Sequence, residues 1–185
     1  MQSFVIEYPN NYVLCLGKCD SINLLSNRVY NEYITLRKLD PLFNSVTEQE
    51  SNNIVVMSKK LEPIKFYVDD KYFKCSKTNK YLSCFSHNRQ CCGGAPLFLS
   101  DNKDLALVFK ENFINELLSK KKENSLLWCW SRCYPRPCYP GDGVIVVAGG
   151  NLKENCPVVS YHSPDYPQRW HHLIERNKVS LIKNL

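Results

Sequence analysis

Residues Asp69 to Ser86 read DDKYFKCSKTNKYLSCFS. Two short aromatic-bearing runs flank Ser76 to Lys80, SKTNK, a polar cluster suited to a turn. The stretch therefore reads as a β-hairpin with its turn at SKTNK, and the preceding Asp69-Asp70 pair reads as a turn at its start. A hairpin pairs its strands antiparallel, so this segment points to an antiparallel sheet rather than a parallel one.

Strand signals continue on both sides. Phe4 to Ile6 and Tyr12 to Leu16 are short apolar runs separated by YPNN, another turn cluster. NIVVMS (53–58), PIKFYV (63–68), APLFLS (95–100), SLLWCW (125–130) and CPVVSYHS (156–163) are strand-like, and GVIVVAGG (143–150) has the near-continuous apolar character of a central strand. Three segments carry helical periodicity instead. Ile22, Leu25, Val29, Tyr33 and Leu36 share one face of a helix expected near 21–38, which Pro41 terminates. Asp101 opens a helix expected near 101–121 with Ala106, Phe109, Phe113 and Leu117 as its buried stripe, and Lys120 to Lys122 complement the dipole at its end. A last helix is expected near 167–183 on Trp170, Leu173, Ile174 and Leu181. Strands and helices in this irregular order predict an α+β fold: a single mixed domain over 1–185, mainly antiparallel sheet with about three helices.

The 185 residues suit one domain, and 44% hydrophobic with 12% aromatic residues lies far from the composition of a disordered chain. The net charge of +6 allows contact with nucleic acid but does not favour it over a protein partner. No secretory signal pattern opens the sequence and no run of about 18 apolar residues occurs, so no membrane span is expected and the expected location is cytoplasmic or nuclear. Enrichment in Asn, Lys, Ile and Tyr fits an AT-rich coding source such as a virus or a parasite.

Ten cysteines are many for a reducing compartment. Zinc ligation, disulfides and buried unpaired thiols compete to explain them. Half of a zinc site is two ligands separated by two to four residues. Cys84 with His87 and Cys129 with Cys133 have that spacing and form the expected zinc set, although no pair shows the stronger CxxC pattern. Disulfides between chains would instead suit a self-assembling component. Cys15 and Cys156, set among apolar strand residues, fit the buried-thiol reading.

The densest chemistry lies in Trp128 to Gly143, WCWSRCYPRPCYPGDG. Its prolines reduce the entropy lost on ordering, and its rings supply apolar area without regular structure. Trp128, Trp130, Arg132, Tyr134, Arg136 and Tyr139 combine rigid aromatics with arginine, the residue types that anchor protein interfaces. The segment is thus the expected contact surface of a non-catalytic interaction or assembly protein, with a protein partner or self-association. A cysteine hydrolase using Cys129 as nucleophile, His162 as base and Asp165 to orient it is the alternative from another class. The two prolines after Cys129 leave no room for a helix whose N-terminus would activate it.

Overall fold

A computed structural model describes residues 2–18, 53–84, 94–119, 125–129, 143–147, 152–162 and 177–183. Its strands are β1 (Phe4–Tyr8), β2 (Tyr12–Lys18), β3 (Asn53–Ser58), β4 (Phe66–Asp69), β5 (Tyr72–Cys75), β6 (Tyr81–Cys84), β7 (Gly94–Ser100), β8 (Ser125–Leu126), β9 (Trp128–Cys129), β10 (Gly143–Val147), β11 (Cys156–His162) and β12 (Lys178–Lys183). One helix, α1 (Glu111–Leu118), and two 3-10 turns (Pro9–Asn11 and Lys103–Leu105) complete the described elements.

The sheet runs β2-β3-β11-β7-β6-β5-β4-β1-β12-β8, and β10 joins β11 to β9. β1 also pairs with β2 through Glu7↔Val13 and Tyr8↔Tyr12, which brings the start of that path back onto it and makes a nearly closed barrel. Every strand pair is antiparallel.

The turn chemistry read from the sequence operates as expected. β5 and β6 are joined across Ser76–Lys80: the Cys75 N–H donates to the Lys80 carbonyl (2.8 Å), the Asn79 N–H donates to the Cys75 carbonyl (2.8 Å), and Lys74 faces Tyr81. Asn79 takes a φ of 57° and Asp70 one of 57° in the preceding turn; Asn10 and Asn11 do the same in YPNN. Asn and Asp tolerate this left-handed region because their short polar side chains bond locally.

Inside the barrel, alternate strand positions build one core. Phe4, Phe66, Phe73 and Phe109 form its aromatic centre. Phe73 stacks on Phe109 with ring centroids 3.9 Å apart, and Phe4 meets Phe73 edge-on at 5.0 Å. In β3 and β7 the intervening residues Ile54, Val56 and Phe98 are buried as well, so this part of the wall is covered on both faces.

Two of the three expected helices change. The helix near 101–121 is confined to Glu111–Leu118. Before it, Ala106 to Lys110 are extended: the Leu107 N–H donates to Leu82 O (2.9 Å) and the Phe109 N–H to Lys71 O (2.8 Å). A carbonyl of β6 and one of the turn between β4 and β5 thus claim donors that a helix would have used, and Leu107 and Phe109 fill the core at every second position. The apolar spacing of that stretch matched both periods, and packing chose the extended one.

The helix expected near 167–183 gives way to a strand after Asn177, which is helical, and Lys178–Lys183 form β12. β12 adds to the edge of β1, with Phe4↔Lys183 to Glu7↔Ser180 in register, and Val179 and Leu181 are buried at strand spacing. β1 offered a row of unpaired backbone groups, which outweighs a helical stripe that included Leu181. The expected helix near 21–38, residues 167–176 and Lys120 to Lys122 lie outside the described residues.

Phe73 touches every ring of the aromatic centre. Phe73→Ala is expected to lower stability by about 3–5 kcal/mol in denaturant unfolding, whereas Leu61→Ala, on a side chain 42% exposed, should cost well under 1 kcal/mol.

Candidate functional site

β9, β10 and β11 carry the candidate site. Cys129 lies opposite Gly143, and Gly143 lies opposite His162, so the three occupy one row across adjacent strands. Trp128, Val144 and Tyr161 form the next row, which continues to Gly94 in β7. Ile145 and Ser160 pair with each other and are buried. Cys129, Gly143 and His162 form one backbone row at the end of β9, the start of β10 and the end of β11.

Tertiary contacts fix β10 firmly. The Ile145 N–H donates to the Leu127 carbonyl (3.1 Å). The buried hydroxyl of Tyr8, from β1, donates to the Ile145 carbonyl (2.9 Å). Five register pairs, from Gly143↔His162 to Val147↔Val158, hold its other edge.

The Cys129↔Gly143 pair also brings together the two ends of the segment 130–142. The sequence placed a strand on either side of this segment; the structure adds that the two strands are partners. Trp128 has a register position in β9, whereas Trp130, Arg132, Tyr134, Arg136 and Tyr139 lie outside the described residues, as do His87, Cys133 and Asp165. Cys84 ends β6, is buried, and sits opposite Leu97; β7, β11 and β10 separate its strand from that of Cys129. Cys129 and His162, by contrast, lie in one backbone row, on either side of Gly143. Among the described residues no group of three or more His, Cys, Asp or Glu side chains is gathered as a metal would require.

Cys15, Cys75, Cys84 and Cys156 are buried thiols. Cys15 Sγ lies 3.5 Å from the Val13 carbonyl and 3.6 Å from that of Leu61, and can donate to either. Burial, followed by the negative charge of Glu154, pushes its pKa up to about 12. A thiolate is the reactive form, so Cys15 is chemically inert near neutrality.

Sequence inspection gave no sign of a second polar cluster. The Ser58 hydroxyl donates to Glu154 Oε1, and the Lys59 N–H donates to Glu154 Oε2 (2.9 Å). The Lys60 and Leu61 N–H groups donate to Ser58 Oγ at 3.0 and 2.9 Å. Ser58 is fully buried with both its donor and its acceptor capacity in use, so this pair works as a clamp rather than a nucleophile. It ties the turn after β3 to the turn before β11, where the Asn155 N–H also reaches the Met57 carbonyl (2.9 Å). The Ser58 hydrogen bond, then the Lys59 N–H, hold the Glu154 carboxyl below the usual carboxylate range, and the charge of Lys60 adds to this against a smaller opposing effect of burial. Ser58 and Glu154 are far apart in the chain, and neither belongs to a motif, so only the fold could reveal them.

Two other surfaces carry less chemistry. An open groove of about 580 Å³ is lined by Leu16, Leu61, Pro63, Ile64 and Cys75, with Lys65 and Lys77 among its polar residues. On β5 and β6, Tyr72 and Tyr81 meet edge-on at 5.5 Å, and lysines lie over both rings: Lys103 at 5.2 Å from Tyr72 and Lys74 at 4.7 Å from Tyr81. Asp69 and Asp101 pair with Lys74 (3.6 Å) and Lys80 (3.9 Å), so opposite charge is already present among these lysines.

No protein-family model matches this chain, and neither a curated protein nor a solved structure matches it. No helix among the described residues is long and apolar enough to cross a membrane.

Glu154 has a depressed folded pKa, so its contribution to stability is complete above the ordinary carboxylate range and is lost as pH falls through the folded value. Melting temperatures from pH 7 to pH 3 should show this acid loss in the native protein and a flatter profile in Glu154→Gln. Cys15 has the opposite sign: its contribution is complete below the ordinary thiol value and declines as pH rises toward about 12. At pH 8 iodoacetamide should leave Cys15 unmodified in the folded protein and label it after unfolding, as read by peptide mass.

Proposed function

We propose that the protein is a non-catalytic binding or assembly module and that Trp128 to Gly143 is its contact surface. The observation supporting this reading is the Cys129↔Gly143 pair, which seats both ends of the loop on the barrel wall. A loop whose ends are already held together loses less entropy on binding than one with free ends, and binding loops on rigid sheets use this advantage. Its sequence supplies rigid anchors: Trp130, Tyr134 and Tyr139 give apolar area with few rotatable bonds, while Arg132 and Arg136 give planar donors.

The partner is a second copy of this chain. Cys133 and Cys138 flank two prolines in the same loop, a pattern that suits contacts and cross-links between identical loops in a dense assembly. Single-stranded nucleic acid would use the same rings by stacking. The modest net charge and the acidic partners of Lys74 and Lys80 make a protein surface the better match.

Sedimentation velocity across a wide concentration range, in reducing buffer, tests the reading. The native chain should associate, and a variant combining Trp130→Ala, Arg132→Ala and Arg136→Ala should shift association at least tenfold toward higher concentration, with an unchanged circular dichroism spectrum. A native chain that stays monomeric throughout, or a variant that associates as well as the native chain, overturns it.

A further inference from the structure

We propose that the groove between β2 and the β5–β6 turn binds a single-chain fatty acid, an alkyl carboxylate with one negative charge. Its lining residues lie outside Trp128 to Gly143, so this inference does not rest on that segment being a contact surface.

The apolar lining comes from three parts of the chain. Leu16 belongs to β2, Leu61, Pro63 and Ile64 to the connection between β3 and β4, and Cys75 to the end of β5. Ile64 and Cys75 are buried, whereas Leu16 and Leu61 are 38% and 42% exposed. Among the described residues the exposed large apolar side chains are Leu16, Leu61 and Ile182, and the first two line this groove. Apolar surface left in water within a preformed cleft marks a ligand site.

Internal bonds hold the lining in place. The Ile64 N–H donates to the Leu14 carbonyl (2.9 Å), and Pro63 bridges to Cys15. The Leu61 N–H donates to Ser58 Oγ (2.9 Å), and the Cys15 thiol can donate to the Leu61 carbonyl (3.6 Å). At the β5–β6 turn, the Ser76 N–H and hydroxyl both donate to the Lys65 carbonyl at 2.8 Å. The cleft therefore exists before a ligand arrives, and little order is lost when it fills.

Charge and size select the occupant. Lys65 and Lys77 line the groove against one carboxylate, Glu62, which leaves one positive charge for a ligand to meet. Lys59 and Lys60, exposed in the turn that leads to Leu61, add to it, while the nearby Glu154 carboxylate is already engaged by Ser58 and the Lys59 N–H. A lysine lays its stem along apolar surface and keeps its ammonium in water. An alkyl chain within the groove and a carboxylate at its rim match that arrangement. The groove volume of about 580 Å³ falls among small-molecule sites, about 300–1,000 Å³. An ordinary protein interface instead covers about 800 Å² of each partner.

Calorimetric titration of the full, reduced, delipidated chain with octanoate, decanoate and dodecanoate, each below its micelle concentration, tests the proposal. One equivalent should bind, and affinity should rise about twofold per methylene, because an open groove removes about half of the chain's surface from water. Dodecanol, with a chain of the same length and no charge, should bind roughly fivefold more weakly than dodecanoate. Lys65→Gln combined with Lys77→Gln should weaken dodecanoate by roughly that factor and leave dodecanol unchanged, a pattern that damage to the fold would not produce. Leu61→Asn should weaken both ligands roughly tenfold, and Ile182→Asn, outside the groove, should weaken neither. The variant combining Trp130→Ala, Arg132→Ala and Arg136→Ala should bind dodecanoate as the native chain does, which separates this site from the contact surface. Absent dodecanoate binding, equal affinity for dodecanol, or binding of several equivalents that Leu61→Asn leaves unchanged overturns the proposal. So does self-association that Leu61→Asn abolishes and dodecanoate does not inhibit, because the groove then belongs to a second copy of the chain.

Discussion

The hydrogen bond from the Tyr8 hydroxyl to the Ile145 carbonyl joins the two regions on which the molecule depends. Tyr8 belongs to β1, the strand that touches β2, β4 and β12 and so brings the ends of the barrel wall together. Ile145 belongs to β10, which pairs with β9 and β11. A tyrosine hydroxyl buried in an apolar core needs a partner, since an unmade bond there costs about 1–3 kcal/mol. That requirement gives the bond its directional value. Apolar packing alone tolerates small slips of one wall against another, whereas a buried donor and acceptor must meet at one distance.

Ser58, Glu154 and Cys15 are committed to the fold: their hydrogen bonds are internal, the carboxyl is held ionised by donors, and the thiol is held protonated by burial. Cys129 and His162 take register positions on either side of Gly143, next to the base of the segment 130–142.

Much of the local structure was legible in the sequence because its causes are local. The turns at YPNN, Asp69-Asp70 and SKTNK rest on residues that tolerate a positive φ or supply local hydrogen bonds, and all three are present. NIVVMS, APLFLS, GVIVV and CPVVSYH are apolar enough to be strands in almost any sheet, and they are. The errors fall where two periods fit one stretch. Ala106 to Phe109 and Leu181 satisfy helical spacing when read with their neighbours. They are extended because an adjacent strand edge already offered them hydrogen bonds. The candidate site was legible only in its residue types: Cys129 and His162 were both singled out, yet the glycine between them was read as the start of an apolar strand.

By itself the sequence determined that the chain is rich in antiparallel strands, where most of them lie, and that its sulfur and aromatic residues are concentrated around Trp128 to Gly143. Those conclusions follow from side-chain volume, turn propensity and composition, which act within a few residues. Only the tertiary structure decided that the strands close into a barrel, that β12 is a strand, that Ser58 meets Glu154, and that Cys129 and His162 flank Gly143. Each of these depends on which strand edges pair and in which register. A shift of one residue would exchange the faces of a whole strand, and that choice is made by the packing of the complete core rather than by any short stretch of chain.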